Sequence, residues 1–314
     1  MASRPAYDAN EYGSADLTAQ LNRAIGYVFE PGSIFKAAVV SAALNEGVVS
    51  EQDVFDCENG AWLYHHRILR DYHRYGNLTV SNIVKESSNI GAAKVALRLG
   101  ERRLEEYLRA FGLGRRSGID LPGEEAGILH GRSRWSALSI TRIPMGHEVG
   151  VTALQMVNLL SAIANDGVLM RPAVVQRVVH ARGGTIREFV PKEIGRPIRP
   201  ETAQRMRRLL TGVTDGGGTG TRGRVDGYAV GGKTGTAQKP VPGGYSDRAN
   251  IASFMGFLPA EDPALAIIVV VDEPQPLHTG GLVAAPVFSE IASQAVRYLD
   301  IPPALVASAA DGRE

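Results

Sequence analysis

Three short motifs carry hydroxyl groups, an amide and amines at spacings that suit nucleophilic catalysis. In the first, Ser33-Ile34-Phe35-Lys36, a hydroxyl and an amine stand three residues apart at a predicted helix start, so they share one face. A serine there can attack a carbonyl if a neutral lysine takes its proton, and burial or a neighbouring cation lowers a lysine pKa toward neutrality. The helix N-terminus adds free amide donors for a developing oxyanion.

The other two motifs fall on a predicted turn and a predicted strand. Ser87-Ser88-Asn89 offers a hydroxyl and an amide two residues apart, suited to relaying a proton and orienting a substrate amide. Lys233-Thr234-Gly235-Thr236 offers a cation and two hydroxyls, and its glycine permits close approach of a substrate backbone. Only six of the 34 basic residues are lysine, so two lysines within such motifs are informative. Together the motifs could bind a substrate carboxylate and place the scissile amide of the same substrate beside the serine.

Helical periodicity and capping signals predict the elements that position the first two motifs. A capping box formed by Thr152 and Gln155 starts a helix that runs to Gly167. Prolines mark the first turn of two later helices. Three other helices are predicted at residues 34–44, with Gly47 as the stop, 79–85 and 90–99. The two helices that begin at proline are predicted at residues 200–213 and 286–299.

The pattern changes to a period of two late in the chain. Three strands are predicted, at residues 228–238, 250–258 and 265–272, with turn-rich loops at 240–244 and 259–263. Helices in the middle followed by strands predict an α/β layer joined to a helical subdomain. No repeat or linker divides the sequence, so one catalytic unit is predicted.

Composition and charge exclude several classes of protein. The 314 residues carry 34 basic and 33 acidic side chains, and this balance gives no electrostatic footprint for nucleic acid or anionic lipid. The longest apolar run, residues 264–271, is far below the about 20 residues of a membrane helix, and no signal peptide is recognisable. A lone Cys57 excludes an internal disulfide. His65, His66 and His73 match no zinc spacing, so a polar surface loop is predicted there.

Two further patterns have ordinary structural interpretations. The stretch Gly218-Thr219-Gly220-Thr221-Arg222-Gly223 matches a dinucleotide glycine pattern, yet it follows a predicted helix and opens none. A glycine-rich turn is therefore predicted. His147, beside Glu148, is interpreted as a hydrogen-bonded loop histidine, with orientation of the site as the alternative.

At these motifs the chain resembles the class B penicillin-binding proteins, the cell-wall D,D-transpeptidases of the division and elongation type. The resemblance covers essentially the whole length and extends into the residues around each motif. It implies the penicillin-binding-protein/β-lactamase-like serine transferase fold: one domain, 1–314, with an antiparallel sheet, flanking helices and a helical subdomain at about residues 45–200. The similar stretches are Phe29-Glu30-Pro31-Gly32-Ser33, Ser87-Ser88-Asn89-Ile90-Gly91, Gly118-Ile119-Asp120-Leu121-Pro122-Gly123-Glu124, Gly150-Val151-Thr152-Ala153-Leu154-Gln155 and Gly231-Gly232-Lys233-Thr234-Gly235-Thr236-Ala237-Gln238-Lys239.

The resemblance implies a reaction on peptidoglycan stem peptides through a Ser33 acyl-enzyme, without a metal or cofactor. Lys36 would be the base, Ser87 the proton relay, and Asn89 the residue that holds the substrate amide. The backbone amides of Ser33 and Thr236 would form the oxyanion hole, and β-lactams would acylate Ser33 as substrate mimics. The implied carboxylate-binding set is Lys233, Thr234, Gly235 and Thr236.

Family members begin with a cytoplasmic tail, a membrane helix and a pedestal, followed by a strand hairpin, whereas this sequence starts inside that hairpin. It therefore resembles the C-terminal part of a longer protein that acts at the extracytoplasmic face of the bacterial cytoplasmic membrane. A glycan polymerase and division or elongation proteins are implied partners through segments outside this sequence. The strand at 265–272 is expected to present an unpaired apolar edge, with poor solubility and reduced stability.

Two alternatives remain open on the sequence alone: a hydrolase, which would be a serine β-lactamase or a D,D-carboxypeptidase, and a penicillin sensor or scaffold. A serine β-lactamase needs a deacylating base such as the glutamate of a Glu-x-x-Leu-Asn loop, which this sequence lacks, while D,D-carboxypeptidases share the three motifs. The contexts Pro31-Gly32 and Ser88-Asn89-Ile90-Gly91 favour the class B type. A penicillin sensor or scaffold that acylates without turnover carries the same motifs. The septal or lateral-wall role and the acceptor amine are not indicated.

Overall fold

The computed structural model describes residues 1–303, apart from the side chain of Asp247. Helices dominate the first two thirds of this range, and the long strands follow. The α-helices are α1 (Leu17–Gln20), α2 (Arg23–Gly26), α3 (Lys36–Asn45), α4 (Val80–Glu86), α5 (Asn89–Leu99), α6 (Glu101–Ala110), α7 (Ser139–Arg142), α8 (Ala153–Ala164), α9 (Pro200–Thr214) and α10 (Gly280–Tyr298). Short 3-10 helices lie at Ala9–Ser14, Gly32–Phe35, Glu58–Gly60, Arg132–Arg134, Ile143–Met145 and Thr221–Gly223.

The strands comprise several short pairs and one three-stranded sheet. They are β1 (Val54–Asp56), β2 (Ala61–Tyr64), β3 (Arg67–Arg70), β4 (Asn77–Thr79), β5 (Ile128–Leu129), β6 (Val149–Gly150), β7 (Leu169–Met170), β8 (Arg177–Val179), β9 (Thr185–Glu188), β10 (Glu193–Gly195), β11 (Gly231–Val241), β12 (Gly244–Leu258) and β13 (Leu265–Asp272). The short strands form antiparallel pairs: β1 with β4, β2 with β3, β5 with β6, β7 with β10, and β8 with β9.

The three long strands form an antiparallel sheet in the order β11-β12-β13, with Lys233 opposite Met255 and Leu265 opposite Leu258. The predicted strands are confirmed, but two boundaries were wrong. β11 begins at Gly231, since Tyr228 forms only an isolated bridge with Val225. Residues 240–244 are not a loop: the hairpin continues, and only residues 242 and 243 turn.

Helices cover both faces of the sheet, which explains why its central strand, β12, is apolar on both sides. Alternate residues of β12 face opposite ways, as strand geometry requires. Met255 and Phe257 join a core shared with α3, α5, α8 and α9, while Phe254 and Leu258 pack with α10. The sheet therefore lies between two helical layers.

Helix α3 is the interior element of the larger core. All ten of its residues are buried, and four of them are alanine, so neighbouring helices approach closely. It contacts α5, α6 and α9. The predicted helix at 34–44 is confirmed, with a 3-10 turn, Gly32–Phe35, leading into it. This helix fixes the first motif in the centre of the molecule.

The predicted start of the last helix was wrong. We expected proline in its first turn, but α10 begins at Gly280 and contains Pro286 in its interior. A proline there lacks an N–H donor, but the buried residues Ala284, Phe288 and Ala292 lie on both sides of it in sequence and join the core that contains Phe254 and Leu258 of β12. Core contact therefore extends the helix past the position where local signals place its start.

The predicted helices at 79–85, 90–99 and 152–167 are capped at their N-termini. Thr79 caps α4, Ser88 caps α5, and the reciprocal capping box of Thr152 and Gln155 is present at α8. Residues 45–200 contain α4 to α8 and the short strand pairs, and the main core continues from them into α3, α9 and the sheet. The helical subdomain at 45–200 stays a prediction.

Strand β13 lies at one edge of the sheet. Within residues 1–303 its outer edge pairs with no other strand, and seven of its eight residues are half-buried although they are apolar. The expected unpaired apolar edge is thus present in the described range. No helix in that range is long and apolar enough to cross a membrane.

Candidate active site

The first motif lies where the 3-10 turn Gly32–Phe35 meets α3. Lys36 is the first residue of α3, and its Nζ lies 3.0 Å from the Oγ of Ser33. Gly32 has φ +61°, and a Cβ there would lie 3.0 Å from the carbonyl oxygen of Thr236. The turn that carries Ser33 therefore lies directly against β11, and only glycine fits at its contact point.

The second motif forms the junction of α4 and α5. Ser87 ends α4 in the left-handed conformation, with φ +61°, which is uncommon for a residue with a side chain. Ser88 caps α5 by accepting a hydrogen bond from the Gly91 N–H at 2.9 Å, and Asn89 is the first helical residue. The turn directs Ser87 and Asn89 toward Lys36, whose Nζ donates to Asn89 Oδ1 at 2.7 Å.

The third motif reaches the same point from β11. Lys233 Nζ donates to Ser87 Oγ at 2.8 Å, while Lys36 Nζ lies 3.2 Å from that hydroxyl. The Ser87 hydroxyl therefore bridges two lysines from distant parts of the sequence. The structure brings together Ser33, Lys36, Ser87, Asn89 and Lys233, as the three motifs predict.

The two lysines are buried, and burial destabilises their charged forms. Desolvation lowers the pKa of Lys36 to about 7, partly opposed by the negative charge of Asp71. For Lys233, burial and then the neighbouring Lys36 hold the pKa well below its ordinary value. Near neutral pH this pair therefore supplies an uncharged amine.

The hydrogen-bond partners of Lys36 Nζ favour Lys36 as the base. Its Nζ contacts four oxygens, of which Ser87 O and Asn89 Oδ1 can only accept. A neutral amine has two N–H donors and one lone pair, so these two oxygens use both donors. The lone pair is then left for the proton of Ser33. This arrangement is suited to activating Ser33 as a nucleophile.

The two threonines of the third motif make different contacts. Thr234 Oγ1 lies 2.9 Å from Thr219 Oγ1, and this pair is next to Lys233. Thr219 belongs to the glycine-rich stretch 218–223, which forms a turn after α9 as predicted. Thr236 is exposed, and its Oγ1 accepts a hydrogen bond from the N–H of Gly280 at 3.1 Å. That contact joins β11 to the start of α10.

Gly235 also packs against neighbouring elements of the protein. A Cβ at this position would lie 2.3 Å from Ser253 Oγ and 3.0 Å from a methyl carbon of Ile34. The missing side chain therefore makes room for the molecule's own elements on the inner face of β11. Direct contact of Gly235 with substrate stays a prediction.

Asp71 is a supporting residue that sequence reasoning missed. Its carboxylate accepts hydrogen bonds from Ser88 Oγ at 2.7 Å, from Ile90 N–H at 3.0 Å and from Asn89 N–H. It thereby satisfies free donors at the N-terminus of α5 and fixes the second motif. The available signal was weak: Asp71 is the only acidic residue between Glu58 and Glu86.

The segment around Asp71 also differs from its prediction. It is exposed as expected, but it contains the hairpin of β2 and β3, whose two-residue turn is His65 and His66, both with positive φ. Asp71 follows that hairpin directly. Cys57 is buried and lies 3.4 Å from Ser88 Oγ.

A second polar cluster lies beside the turn that carries Ser33. Glu30 contacts His147 Nδ1 at 2.8 Å and accepts from the Tyr245 hydroxyl at 3.2 Å, so His147 is a hydrogen-bonded loop histidine, and its partner is Glu30. Burial and the Glu30 charge raise the pKa of Tyr245 to about 12. A Cβ on Gly146 would lie 2.3 Å from the carbonyl oxygen of Gly32. The cluster therefore supports the Ser33 turn from behind.

This fold, with a serine, two buried lysines and a bridging hydroxyl, defines a serine acyltransferase class of site. Residues 1–293 match the family of penicillin-binding protein transpeptidase domains. The chain belongs to that family, as its motifs predict.

Curated relatives agree with this family. The chain is 35% identical over 304 residues to the "Probable peptidoglycan D,D-transpeptidase PenA" of Neisseria meningitidis, covering 96% of this chain and 50% of the relative. It is 33% identical over 305 residues to the "Peptidoglycan D,D-transpeptidase FtsI" of Escherichia coli, again covering 96% and 50%. The chain spans about half the length of these relatives.

Solved structures share the fold. The transpeptidase domain of Burkholderia pseudomallei penicillin-binding protein 3 superposes with a TM-score of 0.83 at 34% identity, covering 91% of this chain and 84% of that one. Penicillin-binding protein 3 of Mycobacterium tuberculosis, solved with aztreonam, gives a TM-score of 0.85 at 33% identity, covering 95% and 68%. The predicted fold class is confirmed.

Proposed function

We propose that the chain is the catalytic part of a peptidoglycan D,D-transpeptidase that works through a Ser33 acyl-enzyme. One observation carries the proposal: buried Lys36, with a pKa lowered to about 7, lies 3.0 Å from Ser33 Oγ while its two N–H donors have other acceptors. A hydroxyl beside a neutral amine is the arrangement that nucleophilic acyl transfer needs.

Acylation begins when Lys36 takes the proton of Ser33 and Oγ attacks the carbonyl of the penultimate D-alanine. The C–O bond forms, the C–N bond breaks, and the leaving D-alanine amine receives a proton. Ser87 supports that proton transfer, because its hydroxyl lies within hydrogen-bond distance of both Lys36 and Lys233. Asn89 holds the amide of the donor peptide.

Transfer completes the reaction. The amine of a second stem peptide attacks the ester carbonyl of the acyl-enzyme, loses a proton and forms the cross-link amide. The C–O bond to Ser33 breaks, and Oγ regains a proton from Lys36. In this scheme Lys36 cycles between its neutral and charged forms, and its pKa of about 7 keeps the free-energy difference between them small near neutral pH.

Strand β11 supplies the remaining assigned roles. It lies at the edge of the sheet opposite β13, so alternate backbone groups face outward and are open to an extended substrate. Lys233, Thr234 and Thr236 bind the terminal carboxylate. The N–H groups of Ser33 and Thr236 form the oxyanion hole, supported by the 3.0 Å approach of Gly32 to the Thr236 carbonyl.

The cellular setting is also proposed. Relatives named as peptidoglycan D,D-transpeptidases support action on peptidoglycan. The proposed place of that action is the extracytoplasmic face of the bacterial cytoplasmic membrane. A relative solved with aztreonam supports β-lactams as ligands of this chain. A glycan polymerase and division or elongation proteins are the proposed partners of the full-length protein.

The first test is the intact mass of the protein after brief exposure to benzylpenicillin, followed over time with peptide mapping. We expect one long-lived adduct on the peptide that contains Ser33, and no adduct on Ser33→Ala. Labelling that survives Ser33→Ala contradicts the assignment. Rapid loss of the adduct supports a β-lactamase instead.

Turnover needs a separate measurement. We expect D-alanine release from a peptide or thioester donor, with transfer to an added amine. An adduct without D-alanine release supports a penicillin sensor, and release with water as the sole acceptor supports a carboxypeptidase. A folded protein that forms no adduct with benzylpenicillin excludes the proposed function.

A further inference from the structure

The segment that follows β3 is attached to the second motif. The carbonyl oxygen of Arg70 accepts a hydrogen bond from Asn89 Nδ2 at 2.9 Å. The next residue, Asp71, binds Ser88 Oγ at 2.7 Å. The segment is attached through the Arg70 carbonyl and the Asp71 carboxylate, and the Arg70 guanidinium takes no part in these contacts. Arg70 is therefore next to the proposed substrate-amide site while its side chain is exposed.

A second attachment lies four residues further along. The Tyr75 hydroxyl donates to Glu86 Oε2 at 3.2 Å, and Glu86 directly precedes Ser87. Residues 72–74 bridge the two attachments and are all exposed, with Tyr72 82% exposed. Because both ends of this bridge are held against residues 86–89, it forms a rim beside the second motif. We call residues 70–75 the arginine rim.

The arginine rim has unbalanced positive charge. Arg70 and Arg74 are exposed, and neither makes an ion pair within 4.0 Å in the part of the chain that the structure describes. The one acidic residue of the rim, Asp71, is turned toward the N–H groups of α5. Two exposed guanidinium groups without an ion pair among the described residues thus belong to a rim that is held against residues 86–89.

We propose that Arg70 and Arg74 bind a carboxylate of the donor peptide on the side of the scissile amide opposite the terminal carboxylate. This inference rests on the proposed function, in which Asn89 holds the donor amide and the preceding residues pass the rim. Guanidinium groups bind carboxylates in a planar, two-point geometry and stay charged at every relevant pH. The rim therefore selects acidic donor peptides over amidated ones.

Two matched donor peptides test the inference. Both end in D-alanyl-D-alanine, and they differ only in a carboxylate or a carboxamide on the two residues before that pair. The measured quantity is the ratio of their rates of D-alanine release. We expect the wild-type protein to prefer the acidic donor by roughly fivefold, the size expected for exposed charge pairs, and this preference to fall as salt is added.

Variants locate the preference. Arg70→Gln/Arg74→Gln should bring the ratio close to one, and Arg70→Glu/Arg74→Glu should reverse it. Arg70→Lys/Arg74→Lys should keep part of it. The matched control is Arg177→Gln/Arg182→Gln, which removes two exposed arginines from the β8–β9 hairpin and its turn and should keep the wild-type ratio. A ratio within each variant cancels changes in the amount of folded protein.

Three outcomes overturn the inference: no preference in the wild type, a preference that survives Arg70→Gln/Arg74→Gln, or an equal loss in the control pair. The same peptides can also be tested as competitors of benzylpenicillin. The slowing of acylation then measures how well each peptide occupies the site, without turnover. If D-alanine is released without preference, only this inference fails. If neither acylation nor release occurs, the proposed function fails and takes the inference with it.

Discussion

The turn that carries Ser33 and the turn that carries Ser87 are held in place by different forces. The first leads into a helix with ten buried residues and lies against β11 and residue 146 through glycine contacts. The second depends on hydrogen bonds to one carboxylate, Asp71, from an exposed segment. Tight core packing resists changes of volume, whereas polar support responds to changes of charge and pH. Substitutions at the two turns should therefore fail in different ways.

The largest expected effect is the loss of the base. Lys36→Met keeps an unbranched side chain of similar bulk but removes the amine, so the rate of acylation by benzylpenicillin should fall by roughly 100- to 10,000-fold. Stability should change little, because removing a buried amine is favourable but leaves Ser87 O and Asn89 Oδ1 without their donor. Intact mass over time and urea unfolding measure the two effects. Unchanged acylation would show that another group takes the Ser33 proton.

The second prediction concerns the glycine contact behind the Ser33 turn. Gly146→Ala places a Cβ 2.3 Å from the Gly32 carbonyl oxygen at φ +78°, and we expect a loss of about 3 kcal/mol of unfolding free energy. Gly47→Ala is the matched control. It has φ +68° but no atom within 4 Å, so only the backbone cost of about 1 kcal/mol should appear. Equal losses in urea unfolding would contradict the role of close contact.

The third prediction is the pH dependence of acylation. In the proposed mechanism the neutral form of Lys36 is the base, and burial lowers its pKa to about 7, so the rate should rise with pH through about 7 and then level. Between pH 6 and pH 8 the neutral fraction grows by roughly tenfold. Second-order rate constants for benzylpenicillin across this range measure the midpoint. A flat profile would exclude Lys36 as the titrating group.

The smallest expected effect is at the polar support. Asp71 raises the pKa of Lys36, so Asp71→Asn should move the midpoint of the pH profile downward. The asparagine oxygen still accepts from the N–H groups of α5, so acylation at high pH should fall by only about threefold. The midpoint of the pH profile reports the effect of the Asp71 charge, and the acylation rate at high pH reports the effect of its hydrogen bonds. An upward move of the midpoint would contradict the electrostatic role of Asp71.

Local signals predicted the elements that local interactions form. The capping box at Thr152 and the periodic helix at 34–44 are confirmed because caps and apolar faces are encoded within a few residues. The three motifs predicted the grouping of Ser33, Lys36, Ser87, Asn89 and Lys233.

Features set by distant contacts were missed. Asp71 acts across 17 residues, and no spacing rule relates it to Ser88. The β2–β3 hairpin turns at His65 and His66 rather than at the glycine or asparagine that positive φ favours. Helix α10 begins before Pro286 because its apolar face packs on the sheet. In each case tertiary contact outweighs local preference.

The glycine contacts at the Ser33 turn also limit how this site can evolve. Gly32, Gly146 and Gly235 each touch another part of the chain at distances that leave no space for a methyl group. Under selection to exclude an inhibitor, a mutation at these positions lowers stability because the new side chain meets another part of the chain. Substitutions that keep the protein folded are therefore concentrated at exposed positions such as Tyr72, where a new side chain extends into solvent. The most constrained residues of the site are thus the ones without side chains.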